Sequence, residues 1–474
     1  MSFPHAAIGG LSLSLLAMAT AMAAEPTPAL AEQLAELQRQ NAELGQRLGA
    51  LEQRAAQAPR SEAGPIRLID LSLDILMCAG GSTATDAEIG ELQGGGHDPQ
   101  RRGFTFQGAE LSLAGAVDPY FTAEMHAVFA RSEPSGETIV ELEEAFARST
   151  CLPYGLELKA GQYLTEFGRF NSTHPHSWAF IDQPIILGRV FGGDGQRAPG
   201  ARLLCSLPTP WMSELILNTQ NADGETCSAF LGAPAEEDAG HDHGGGPVGG
   251  YPAAERDNGP HLLYSARWVN SWDIDDTMVK LGTSAATGPN AGGENTRTTI
   301  WGADLAAKWK PSGGERGWPF VIAEAEYIER RYGVDAISAI GSGLDGTLGT
   351  GDDITSEAPG GTLVDRGIVL QTIWGFHPGW SAGLRYEFAT GSGESIHVHE
   401  DDGGGEEIHL EGRSADSSRC NRQRWSPLLA WQPSEFTHFR LQYDYDRSDA
   451  LDRPAHSVWL GAEFLIGAHP AHTF

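Results

Sequence analysis

Apolar and polar residues alternate along much of this chain in short runs, and the runs repeat. Phe439, Leu441, Tyr443 and Tyr445 are interleaved with His438, Arg440, Gln442, Asp444 and Asp446, so a strand here has one apolar face and one that must meet water. Ile69, Leu71, Leu73 and Ile75 alternate with Asp70, Ser72 and Asp74. Phe121, Ala123, Met125, Ala127 and Phe129 alternate with Thr122, Glu124 and His126, and Leu384, Tyr386 and Phe388 with Arg385 and Glu387. Sixteen such runs are predicted as strands near 66–77, 103–117, 120–130, 138–150, 155–162, 200–207, 211–220, 261–269, 276–286, 298–310, 318–330, 364–376, 380–390, 424–432, 437–447 and 456–466. Tight turns at Asp118-Pro119, Leu152-Pro153-Tyr154, Pro208-Thr209-Pro210 and His377-Pro378-Gly379 alternate with connections of up to about forty residues.

Strands with one lipid-compatible face have a solvent explanation. In a bilayer every backbone N–H and C=O must pair with a neighbouring strand, which only a closed barrel achieves. The predicted fold class is therefore all-β, a 16-stranded antiparallel transmembrane β-barrel with an even strand count, surrounded by outer-membrane lipid. Short turns are expected at the periplasmic end and long loops outside. The one strongly apolar run, Ile8 to Ala24, ends in Ala21-Met22-Ala23 and reads as a signal peptide over 1–23, although its start carries His5 and neither Lys nor Arg. No later stretch is apolar and long enough for a transmembrane helix.

Between the signal and the barrel, Leu30, Leu34, Leu37, Asn41, Leu44, Leu48, Leu51 and Ala55 follow a heptad seam, which predicts a periplasmic coiled coil over 24–58. Leu37, Asn41, Leu44 and Leu48 are the expected oligomerisation residues, with Asn41 at an a position setting register. A lone amphipathic helix on the periplasmic rim, or a tether to peptidoglycan, is the alternative reading. Residues 59–65 are a Pro/Gly linker, and 66–474 form the barrel.

The segment 163–199 contains Phe167, Phe170, Trp178, Phe180, Ile185, Ile186, Leu187 and Phe191, too many for a loop in free solution. It is expected to fold into the barrel, with Glu166, Arg169, Asp182, Arg189, Asp194 and Arg197 forming the pore constriction. Here the chain resembles trimeric porins, whose third outer loop narrows the lumen, and the resemblance implies a homotrimer that passes small hydrophilic solutes. With its coiled coil it also resembles the phosphate-selective porin group. Charge points the other way, because Asp plus Glu exceeds Lys plus Arg and the net charge is −31. The expected lumen face, Asp70, Asp74, Glu124, Glu141, Glu143, Glu324, Glu326, Arg385, Glu387, Arg440 and Asp444, is mostly acidic, which favours cations over phosphate. The same excess argues against a nucleic-acid partner.

Histidine adds a second chemistry. His241 and His243 lie among Glu236, Glu237, Asp238 and Asp242 in one outer loop, and His397, His399 and His409 among Glu400, Asp401, Asp402, Glu406 and Glu407 in another. Imidazole with carboxylate suits zinc or another divalent transition metal, although the spacing matches no closed structural zinc site. His174, His176, His469 and His472 are further candidates. Through these loops the chain is similar to barrels described as zinc-regulated outer-membrane receptors. That similarity implies metal uptake, or metal binding without an open pore. No cofactor is required and no enzyme is expected, since neither a Gly-x-Ser-x-Gly elbow nor a His-Glu-x-x-His helix is present. Five cysteines leave Cys227–Cys420 and Cys151–Cys205 as conceivable disulfides. The run from Gly343 to Asp353 is expected to be a flexible loop.

Overall fold

The computed structural model describes residues 69–131, 136–233, 248–253, 261–314, 317–401, 404–411 and 416–467. The expected signal peptide, the coiled coil with Leu37, Asn41, Leu44 and Leu48, the linker, His241, His243, His469 and His472 lie outside them.

The first eleven strands are β1 (Ile69–Ser82), β2 (Gly103–Ala116), β3 (Phe121–Arg131), β4 (Thr138–Ser149), β5 (Leu156–Leu164), β6 (Arg197–Ser206), β7 (Met212–Asn221), β8 (Leu262–Ile274), β9 (Thr277–Pro289), β10 (Arg297–Trp309) and β11 (Phe320–Val334). They continue through β14 (Gly361–His377), β15 (Trp380–Ser392), β18 (Arg422–Ser434), β19 (Thr437–Ser448) and β20 (Ala455–Gly467) into a closed antiparallel barrel, in which β20 pairs back on β1. Each of the sixteen alternating runs is one of these strands. Two hairpins in the long loops, β12 (Ile337–Gly341) with β13 (Ile354–Ala358) and β16 (Ser395–Glu400) with β17 (Glu406–Glu411), form separate two-stranded sheets.

Alternation sorts the wall as lipid and water require. Leu71, Leu217, Trp268, Leu305, Trp374, Leu384, Leu441 and Leu460 are exposed on the outside, while Asp74, Arg385, Glu387, Gln442 and Asp444 are buried inside. Aromatic side chains gather near both rims. Trp380, Trp431 and Phe439 pack in series beside the short turns, with ring centroids 5.9 and 5.6 Å apart. Trp301 with Tyr327 and Tyr386 with Trp425 lie nearer the long loops. Trp301 and Trp309 lie on one strand, separated by roughly 26 Å at ~3.3 Å per residue, which suits a tilted crossing of a ~25 Å apolar band.

Two long loops turn inward. The first, 83–102, carries helix α1 (Asp86–Leu92), whose start is fixed by a Thr85/Glu88 capping box and whose Ile89 and Leu92 are buried with Cys78, Ile181 and Trp459. The second, 165–196, carries helix α2 (Ile185–Phe191) and supplies much of the largest core: Phe167, Phe170, Ile186, Leu187, Val190 and Phe191 pack on Leu263, Ala286, Ile300, Ile328 and Val369 of the wall. Where α2 presses on β14, the strand has no side chain to give. A Cβ at Gly367 would stand 3.0 Å from Ile186, so glycine admits the helix there.

Three expectations change. Neither disulfide forms, and all five thiols are free, because Cys227 is buried beside Gln196 and Arg197 whereas Cys420 lies against Ser417 and Ser448. Cys151 sits in an exposed turn, and Cys205 is on β6 opposite Leu156. The Gly343–Asp353 run, expected as a plain loop, is the turn of the β12–β13 hairpin, in which Asp352 accepts the Leu344 and Asp345 amides and Asp353 that of Gly349.

Candidate functional site: the loop-crossed lumen

The inward loop is fastened residue by residue to the wall as it crosses the lumen. It leaves β5 with Glu166 between Lys159, at 3.3 Å, and Arg202. Gly168, at φ +59°, takes the left-handed turn that glycine tolerates and donates its amide to Ser284 Oγ at 3.0 Å. The amides of Arg169 and Phe170 then both donate to Glu326 Oε2, at 2.8 and 3.1 Å, and the Arg169 guanidinium pairs with Glu324. Farther along, Arg440 donates to the Trp178 carbonyl at 3.0 Å, and the Ile181 amide donates to Gln442 at 2.9 Å.

Asp182 is the electrostatic centre of the far side. Arg385 and Arg424 both pair with it, Gln442 donates to it at 2.9 Å, and Glu387 balances the two arginines at 3.1 and 2.7 Å. Burial would raise its pKa, yet Arg385 and Arg424 outweigh that and bring it down to about 2. Glu387 also accepts the Ile185 amide that opens α2, at 2.8 Å. Beyond the helix, Arg189 donates to the carbonyls of Arg419 and Cys420, at 3.3 and 2.9 Å. Asp194 lies 3.9 Å from His97 of the first loop. Arg197 belongs to β6 rather than to the loop, and it meets Glu141 and, at 3.7 Å, Glu143.

The constriction set therefore consists of attached charges, each facing a wall or loop partner. The acidic lumen residues are largely paired too: Glu124 with Arg148, Glu463 with Arg440, and Asp444 with Ser426 at 2.5 Å and Gln442 at 2.9 Å. Asp70, at the short-turn end of β1, is exposed, and Asp74 is buried near His176.

Elsewhere in the lumen lies a cluster of which the sequence reading named His174, His176 and Glu143 but not Glu110, His126 or Glu144 as partners. Glu110 on β2 contacts His126 of β3 at 2.8 Å, His174 at 3.3 Å and His176 at 3.0 Å. His174 also reaches Glu143 Oε2 with Nδ1 at 3.0 Å and Glu144 Oε2 with Nε2 at 2.9 Å. Two consecutive glutamates face inward because the β3–β4 register shifts between His126 and Ala127, a bulge that gives β4 an extra residue. The break in alternation at Glu143-Glu144 was the available signal. Burial opposes a charge on His174, but Glu143 and Glu110 outweigh it and hold its pKa well above the ordinary histidine range.

The predicted outer-loop histidines behave differently. His397 stands opposite His409 across the β16–β17 hairpin and His399 opposite Glu407, with His409 Nε2 3.6 Å from Glu407. Among the described residues, three or more ligand atoms converge only at Glu110, His126 and His174, within 4.8 Å of one another.

A closed wall of sixteen antiparallel strands, apolar outside and polar within, with the loop after its fifth strand folded across the lumen, decides the architecture. The fold is a closed sixteen-stranded antiparallel β-barrel crossed by an inward loop. No protein-family model matches the chain. An uncharacterized protein of Aquifex aeolicus is 28% identical over 483 residues, covering 96% of this chain and 88% of its own length. Among solved structures, the outer membrane channel DcaP of Acinetobacter baumannii is 12% identical with a TM-score of 0.49, covering 84% of this chain and 97% of that one. An anion-selective porin from Comamonas acidovorans is 8% identical with a TM-score of 0.45, covering 84% of this chain and 99% of its own. Salmonella typhi OmpF is 11% identical with a TM-score of 0.43, covering 84% of this chain and 97% of its own.

Proposed function

We propose that this barrel is a porin-like bacterial outer-membrane channel for passive passage of small hydrophilic solutes, with a modest preference for cations. The observation that carries the reading is the contrast between an apolar exterior and a charged interior in a closed sixteen-stranded wall, since a lumen lined by ionic groups suits water and solutes. Glu124, Glu141, Glu166, Glu214, Glu324 and Glu463, against Arg148, Arg169, Lys280 and Lys308, are lumen residues that keep partial exposure, and their mixed signs suit dipolar solutes as well as ions. The preference is modest because most acidic lumen groups already face arginine or lysine, so only the residual excess acts on a passing ion.

The outer mouth fits the same reading. The His397–His409 pair, with Glu407 beside it, offers a weak station for zinc or a similar divalent ion on its way in. Self-association as a trimer through the heptads of 24–58, with the helix in the periplasm, completes the proposal and is supported by the sequence pattern.

The test is reconstitution of the full chain into planar bilayers and solute-loaded liposomes. A cation-selective reversal potential in a salt gradient, with swelling in small sugars or amino acids, is the expected result. A folded barrel with no conductance overturns the channel reading and leaves a metal receptor or a peptidoglycan tether.

A further inference from the structure

We propose that Glu110, His126 and His174 form a lumenal binding site for one divalent transition metal, zinc or a close analogue, which bonds the inward loop to the barrel wall. The inference does not depend on whether the barrel conducts.

Ligands bound tetrahedrally at ~2.0–2.1 Å stand ~3.4 Å apart, and Glu110 is already 2.8 Å from His126 and 3.3 Å from His174. All three ligand atoms lie within 4.8 Å of one another, so small side-chain adjustments close the set around an ion. Two imidazoles and one carboxylate suit zinc, cobalt and nickel, and leave a fourth position for water or a passing ligand.

The groups behind these ligands are those a metal site uses. A ligating histidine characteristically donates its other N–H to a carboxylate, which fixes ring orientation and raises basicity. With His174 Nδ1 turned to the centre, its Nε2–H donates to Glu144 Oε2 at 2.9 Å. Ser112 Oγ lies 2.9 Å from both Glu110 Oε1 and His126 Nδ1 and steadies that pair. His176 stacks on His174 at 5.5 Å with planes inclined by 13°, and its Nδ1 is 3.0 Å from Glu110. Glu143 is 3.0 Å from His174 Nδ1. The side chains of the three proposed ligands are 4–13% exposed, so an ion there competes with little water.

The site also explains the inward bulge. Without the extra residue on β4, only one of Glu143 and Glu144 would face the lumen, and His174 would lose one of its three carboxylate contacts. Among the described residues, the outer-loop histidines His397, His399 and His409 have no such set of buried carboxylates, with only the Glu407 contact of His409 at 3.6 Å.

Co²⁺ binding to the purified full-length protein in detergent, followed by visible absorption and by Zn²⁺ displacement, tests the site. One equivalent per chain is expected, with the spectrum of nitrogen and oxygen donors and no thiolate charge-transfer band. Binding should persist when His241, His243, His397, His399 and His409 are all changed to Ala, and weaken at least ~10-fold in H126Q and in H174Q. E144Q, which leaves the three ligands in place, should weaken it by a similar factor and serves if either histidine variant misfolds. Zn²⁺ should slow protease cleavage within 165–196 in the wild type and not in H174Q. Failure of the wild type to bind either metal, binding indifferent to H126Q and H174Q, loss of binding in the outer-loop variant, or a thiolate spectrum would each overturn the site.

Discussion

Asp182, in the loop that crosses the lumen, and Arg385, on β15, form an ion pair in which each side chain is 1% exposed. Arg424 joins from β18, equally buried, so two guanidinium groups depend on one loop carboxylate, with Glu387 as their other counter-ion. Such pairs add little stability over a well-packed apolar alternative, but removing one member leaves an uncompensated charge.

Asp182→Ala should therefore cost about 3–5 kcal/mol of loop attachment while the strand ladders persist. The expected readings are a larger unit conductance and faster trypsin cleavage at Arg189, in a barrel with unchanged far-ultraviolet circular dichroism. Conductance and cleavage equal to wild type would mean that the aromatic cluster around Phe167 and Phe191 holds the loop by itself.

A pH effect follows from Asp98, which ties the first loop to the second by accepting the Gln183 amide at 2.7 Å and the Gly95 amide at 2.9 Å. Burial, and then the nearby Asp182 charge, push its pKa from 3.8 up to about 6, against the pull of the Gln183 amide and Arg424. The folded state thus holds a proton that the unfolded chain releases, and stability falls as pH rises from about 4 to about 6, then levels. The difference is worth at most roughly 3 kcal/mol. Hydrogen exchange of the 93–102 amides should be slower at pH 4.5 than at pH 7, after correction for intrinsic rates, and Asp98→Asn should flatten the dependence.

Selectivity should respond to Glu324 and Glu326 in different ways. Glu324→Gln removes one lumen carboxylate, the one facing Arg169, so the reversal potential should move toward anions, and the change should fade at 1 M salt, where screening acts within ~3 Å. Glu326 instead accepts two loop amides, so Glu326→Gln should alter conductance and protease sensitivity more than ion preference. Equal shifts of reversal potential in both variants would contradict this division.

Deletion of 30–55 tests the heptads. Loss of thermal stability in the assembled species, with the single-channel conductance of the barrel retained, is expected. A melting profile identical to that of the full chain would remove any assembly role for Asn41.

The wall was legible because lipid imposes a strict rule: Leu441 and Tyr443 face outward and Gln442 and Asp444 inward whatever their partners are. The inward course of 165–196 was legible from its surplus of aromatic and aliphatic residues. Partnerships were not, because Glu110, His126 and His174 lie on β2, β3 and a loop, and only register brings them together. Glu143 was expected inside, but the inward course of Glu144 beside it was hidden by a bulge, and the β16–β17 hairpin by glycine and acidic residues that resemble an open loop.

A wide hoop of strands resists stretching along its hydrogen bonds far better than it resists being squashed into an oval. The loop after β5 touches Ser284, Glu326, Glu144, Gln442 and Glu387 in turn, and so ties opposite arcs of the wall together like spokes drawn to tension. The bore then depends on where those spokes are pinned as much as on strand number. A few changes on the segment 165–196 can retune the bore, and the sixteen strands of the wall need not alter.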